Sequence, residues 1–123
     1  YRQKAAVMGA DQQTPILHDG HFYAVRPNGE LVCMSPDGQI RWASGEANRF
    51  GLGPFVIGDG KIFVMNDHGR VTLARATPQT FEKLDQFQAL AGHDSWGPMA
   101  LTGGRLLLRD LTTLLCLDVG PSR

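Results

Sequence analysis

The chain has 123 residues, with 12 lysines and arginines balanced by 12 aspartates and glutamates, 42% hydrophobic residues and 20% charged ones. Zero net charge with no basic stripe argues against a counterion-driven nucleic-acid binder and a polybasic membrane-surface role. The composition is globular rather than disordered, and no apolar run approaches the roughly 18 residues of a membrane span.

Fifteen glycines and seven prolines imply many turns and an all-β fold. The first thirteen residues are expected to be the end of a preceding sheet or an inner strand. From Pro15 the chain falls into repeats. Ile16-Leu17 runs into the turn His18-Asp19-Gly20-His21, then the apolar run Phe22-Tyr23-Ala24-Val25, a second turn at Pro27-Asn28-Gly29 and a third strand, Leu31-Val32-Cys33-Met34. After Asp37-Gly38 a fourth strand is expected over Gln39–Ser44. The order recurs from Pro54: Phe55-Val56-Ile57, the turn Gly58-Asp59-Gly60-Lys61, Ile62-Phe63-Val64-Met65, the turn Asp67-His68-Gly69, and Val71-Thr72-Leu73-Ala74. A fourth strand fits Phe81–Leu90, although Phe81, Leu84, Phe87 and Leu90 also have helical spacing. A third copy runs from Pro98 through Met99-Ala100-Leu101, the turn at Gly103-Gly104, Leu106-Leu107-Leu108, a turn without glycine at Leu111-Thr112-Thr113, and Leu114-Leu115-Cys116-Leu117. Asp-Gly or Gly-Gly between apolar runs marks a tight hairpin, because both turn residues need positive φ.

Gly20, Gly60 and Gly104 recur at spacings of 40 and 44 residues. That is the period of four-stranded propeller blades, and no copy holds an uninterrupted helical pattern. The expected fold is therefore all-β, with β-propeller blades built as four-stranded antiparallel sheets, roughly three blades of a larger propeller; an ordinary β-sandwich is the alternative. The repeats divide as residues 14–50, 51–95 and 96–123, the last one partial, after the segment 1–13. Trp42 and Leu84 each follow a proline by six positions and are expected to dock one blade on the next.

The segment Asp19–Trp42, with its Asp-Gly hairpin, second Gly, Leu-containing strand, Gly turn and terminal Trp, resembles the pyrroloquinoline-quinone-like propeller repeat of quinoprotein alcohol dehydrogenases and their non-enzymatic relatives. Gly58-Asp59-Gly60-Lys61, Ala76-Thr77-Pro78 and Trp96-Gly97-Pro98 are similar to motifs in the last blades of exported bacterial propellers, so the resemblance spans residues 14–119. It implies a periplasmic or secreted, non-enzymatic binding or scaffolding segment whose partner is another protein or missing blades, with self-association through open sheet edges. The alternative it implies is the C-terminal part of a quinone-dependent alcohol dehydrogenase with its site in blades outside this sequence. Quinone-holding members use a vicinal disulfide and a calcium cage. Here Cys33 and Cys116 stand 83 positions apart and no Glu/Asn/Asp set has calcium-ligand spacing. No cofactor is therefore expected in this segment; pyrroloquinoline quinone and calcium belong only to the alternative.

In a propeller the connections between blades and the turns between second and third strands open on the channel face. This mapping gathers Arg49, His68, His93, Asp94, Trp96, Arg109 and Asp110, with Asn48 and Asp67 beside them. Cations, carboxylates and imidazoles together suit a polar ligand or acid–base chemistry; the competing reading is solvated turn residues. No catalytic residue and no metal site is assigned, since His18 and His21, flanking the first hairpin, supply only two ligands. Cys33 and Cys116, in equivalent places, are expected to be small buried apolar residues.

Overall fold

In the computed structural model, which describes residues 1–121, eleven strands form three antiparallel sheets. The first has β1 (Ile16–His18), β2 (His21–Val25), β3 (Leu31–Met34) and β4 (Ile40–Ala43), in chain order. The second repeats that meander with β5 (Phe55–Gly58), β6 (Lys61–Met65), β7 (Arg70–Arg75) and β8 (Lys83–Gln88). The third has only β9 (Ala100–Thr102), β10 (Arg105–Arg109) and β11 (Leu114–Asp118). Among the described residues the three sheets do not close into a barrel or ring.

Local chemistry accounts for the meanders. Asp19 and Gly20 adopt φ of 48° and 77°, Asp59 and Gly60 of 51° and 69°, Gly103 and Gly104 of 53° and 73°. Paired positive φ gives the turn whose twist matches the strands it joins. At the other end Gly29 and Gly69 have φ of 89° and 78°, whereas the third sheet has no such glycine. There the Asp110 carboxylate accepts the amides of Thr112 and Thr113 at 2.9 and 2.7 Å, an Asx turn doing the work of a glycine.

The sheets pack in succession because each strand carries apolar residues on both faces. Tyr23, Val25, Leu31, Cys33 and Trp42 of the first sheet share a core with Phe55, Ile62, Val64 and Ala74 of the second. The opposite face of the second sheet, Phe63, Met65 and Val71, shares another with Met99, just before β9, and with Leu106 and Leu108 of the third. Trp42 lies in the first of these cores: its indole is 6.1 Å from Tyr23 and 5.7 Å from Phe81, ring centroid to centroid, and its N–H donates to the Thr77 carbonyl at 2.7 Å.

Three expectations need correction, whereas the strand expected within Phe81–Leu90 is present. Leu84 is exposed and does not dock. Trp42 pairs with Cys33, and the second sheet's counterpart of Cys33, Leu73, pairs with Asp85; Leu84 sits in the bulge beside it. One residue of displacement turns a side chain to the other face. The Phe81–Leu90 segment is a strand at its centre, so its helical spacing is incidental. Residues 1–13 contain no strand but a single helical turn, α1 (Ala5–Met8). This segment is tied down at both ends, where Gln3 donates to the Gly38 carbonyl at 2.7 Å and Gln13 to the Trp96 carbonyl at 3.1 Å. Lastly, Cys33 is buried but Cys116 is exposed, because among the described residues no sheet covers the outer face of the third.

Candidate functional site

The end of the molecule opposite the tight hairpins is built by the second turns of each sheet and the two long connections, residues 44–54 and 89–99. Backbone groups lock these loops together. Phe50 N–H donates to the Gly29 carbonyl at 2.7 Å, Ala89 to that of Gly69 at 2.9 Å and Ser95 to that of Asp67 at 3.2 Å. Fit is close: a Cβ on Gly51 would lie 2.1 Å from an Asp67 carboxylate oxygen, and one on Gly69 2.7 Å from the Leu90 carbonyl oxygen. Glycine is required at both positions for space as well as for φ.

Three carboxylates do similar work in the three sheets. Glu30 accepts Arg26 Nη2 at 2.9 Å and the Gly45 amide at 3.0 Å; those bonds, the arginine's and that of Asn28 foremost, hold it below the usual carboxylate range. Asp67 accepts the Leu52 amide at 3.0 Å. Asp110, buried at its turn, is held low by the Thr112 and Thr113 amides.

The residues singled out from sequence are thus brought to one end of the molecule, in different roles. Arg49 is exposed, bridges to Glu30 through the backbone and lies 3.7 Å from Glu46. His68 and His93 are exposed, and the His68 carbonyl accepts the Gln88 amide group at 2.7 Å. Asp94 adopts φ of 52° and accepts the Trp96 indole N–H at 3.3 Å, while the Trp96 carbonyl accepts from Gln13 at 3.1 Å. Arg109 turns back to the Asp110 carbonyl at 3.2 Å, and its side chain lies beside Gly97, whose added Cβ would be 3.3 Å from it. Asn48 closes its own loop by donating to the Ser44 carbonyl at 3.2 Å. Asp67, Asp94 and Asp110 are engaged in holding loops, which leaves two imidazoles and two guanidiniums facing outward. That arrangement can bind an anionic or polar group; it presents no nucleophile paired with a base.

At the hairpin end, His18 and His21 face each other across β1 and β2, and among the described residues no group of three or more His, Cys, Asp or Glu could hold a metal. Two features escaped the sequence. Ser95 is fully buried with its hydroxyl unpartnered, beside Gly92 and Asp110. A cavity of about 490 Å³ opens between the second and third sheets, lined by Phe63, Leu73, Asp85 and Leu101 among others. Neither lies in a recognisable motif, since each depends on which strands meet.

No family model matches the chain, and no curated protein does. Among solved structures 33 chains are similar. One is the computationally designed Ika8 protein, at 8% identity and a TM-score of 0.66 over 85% of this chain. The match spans 32% of that designed chain, about a third of its length, and at this identity the likeness concerns the fold alone. No helix is long and apolar enough to cross a membrane among the described residues.

Proposed function

We propose that this chain is a run of propeller blades acting as a binding or scaffolding module, of the exported pyrroloquinoline-quinone-like kind, whose third sheet is covered by a further sheet of the same repeat. One observation carries the reading. Leu107, Arg109, Leu114 and Cys116 occupy, by strand register, the places of Tyr23, Val25, Leu31 and Cys33 in the first sheet and of Phe63, Met65, Val71 and Leu73 in the second. In those sheets the positions pack against the next sheet; in the third, Leu114 is 70% exposed and Cys116 is exposed. A sheet face that carries Leu107, Leu114 and Cys116, with Arg109 at its loop-end edge, at a position that is covered twice in the same molecule, is a surface made for a sheet. The carboxylates at the loop end hold turns, which also supports a binding role over acid–base catalysis.

Size-exclusion chromatography with light scattering tests this. The protein alone is expected to associate as its concentration rises, and Leu114→Arg, which sets a second cation opposite Arg109, is expected to return it to the monomer. A monomer at every concentration counts against the open face. Dye-linked alcohol oxidation on adding pyrroloquinoline quinone and calcium would overturn the non-enzymatic reading.

A further inference from the structure

The two seams between sheets share one register and differ most at a single position. In the first, Trp42 fills the space bounded by Tyr23, Cys33, Ile57 and Ala76, and its N–H reaches the Thr77 carbonyl. Strand register gives each of these a counterpart in the second seam. Tyr23 and Cys33, a cross-strand pair, become Phe63 and Leu73. Ile57, opposite Ile62, becomes Leu101, opposite Leu106. Ala76, whose amide donates to the Gly60 carbonyl at 2.8 Å, becomes Val119, whose amide donates to that of Gly104 at 2.8 Å; Thr77 therefore becomes Gly120. Trp42, paired with Cys33, becomes Asp85, paired with Leu73. Phe63, Leu73, Leu101, Val119, Gly120 and Asp85 all line the cavity of about 490 Å³. The cavity is thus the indole's place with the indole replaced by a carboxylate.

We propose that this cavity is a binding site for a small aromatic amine of the indole type. Its ring would stack among the apolar walls as Trp42 does, its ring N–H would reach the Gly120 carbonyl, and its cationic group would meet Asp85. The volume falls in the range of small-molecule pockets, and an apolar lining with few polar groups is their usual chemistry. Charge supports a cation: of the charged lining residues Lys61 lies 3.7 Å from Asp59, while among the described residues Asp85 makes no ion pair and its carboxylate accepts only the neighbouring Gln86 amide, at 2.7 Å. The inference rests on the register of the repeat and stands whichever partner covers the third sheet.

Tryptamine and indole-3-acetate, which share a ring and differ in charge, test it by amide NMR titration of the protein. Tryptamine is expected to give saturable shifts at Leu73, Asp85, Leu101 and Val119 and to bind about fivefold tighter than the acetate, the worth of one partly exposed charge pair. Asp85→Asn is expected to erase that preference, and Asp85→Trp to raise the melting temperature and abolish the shifts. No saturable shift at millimolar tryptamine, equal binding of the two ligands, or an Asp85→Trp protein that folds yet binds as before would each overturn the site. Should Asp85→Trp not fold, the Asp85→Asn preference decides the matter.

Discussion

Tyr23 and Cys33 face each other across β2 and β3 in the first seam, and Tyr23 is 1% exposed. Burial pushes both groups above their ordinary values, and the thiol beside it raises the phenol further. The sign of the consequence is fixed by which state gives up its proton first. An unfolded chain ionises tyrosine near pH 10 and cysteine near about 8.5, while the folded chain keeps both protons beyond those values. Stability from these groups is therefore fully present below about pH 8 and falls as pH rises, first through the cysteine and then through the tyrosine. Urea unfolding midpoints measured between about pH 8 and 11 are expected to fall less steeply above pH 10 in Tyr23→Phe than in the wild type. Parallel curves for the two proteins would show that the phenol is not held in the seam in its neutral form.

At the scale of elements, two glycines with nearly the same conformation separate the two ends of a sheet. Gly20, in the first hairpin, has φ of 77° and open space where a Cβ would stand; Gly69, in a second turn, has φ of 78° and the Leu90 carbonyl 2.7 Å from that point. Gly20→Ala is expected to cost about 1–2 kcal/mol in left-handed strain. Gly69→Ala is expected to cost that strain plus about 1–3 kcal/mol for displacing backbone in a locked loop. Equal losses in chemical denaturation would mean that the loop end yields freely. The hairpin end was legible in the sequence because Asp-Gly and Gly-Gly dipeptides specify φ locally. The strands were legible because their spacing repeats, and Trp42 because a large aromatic side chain at a repeated position must be covered. The place of Leu84 was not legible, because a fixed distance from Pro78 does not set register and pairing does: nine positions separate Cys33 from Trp42, but twelve separate Leu73 from its partner Asp85. At the loop end the residues named from sequence did collect. Their division into loop-holding carboxylates and outward-facing cations depends on backbone amides that no side-chain pattern announces.

Across the whole molecule, the two cysteines report on the two kinds of sheet face. Cys33 and Cys116 hold equivalent register positions, yet one is sealed by the second sheet and the other stands on the uncovered face of the third. Thiol accessibility therefore reads directly whether a further sheet occupies that face. In dilute native protein one thiol per chain is expected to react at once with an aromatic disulfide reagent, and the second only on unfolding, since a buried thiol reacts through opening of the structure. If copies associate through this face, the fast reaction should slow as protein concentration rises. Leu114→Arg should then restore the fast rate at all concentrations, because a second cation directly opposite Arg109 cannot be buried without a partner. Association that leaves the fast thiol unprotected would place the contact elsewhere and remove the third sheet as the docking surface. Two thiols reacting at once would mean instead that the first seam opens on the timescale of labelling, so that the docking of Trp42 does not hold the first two sheets together.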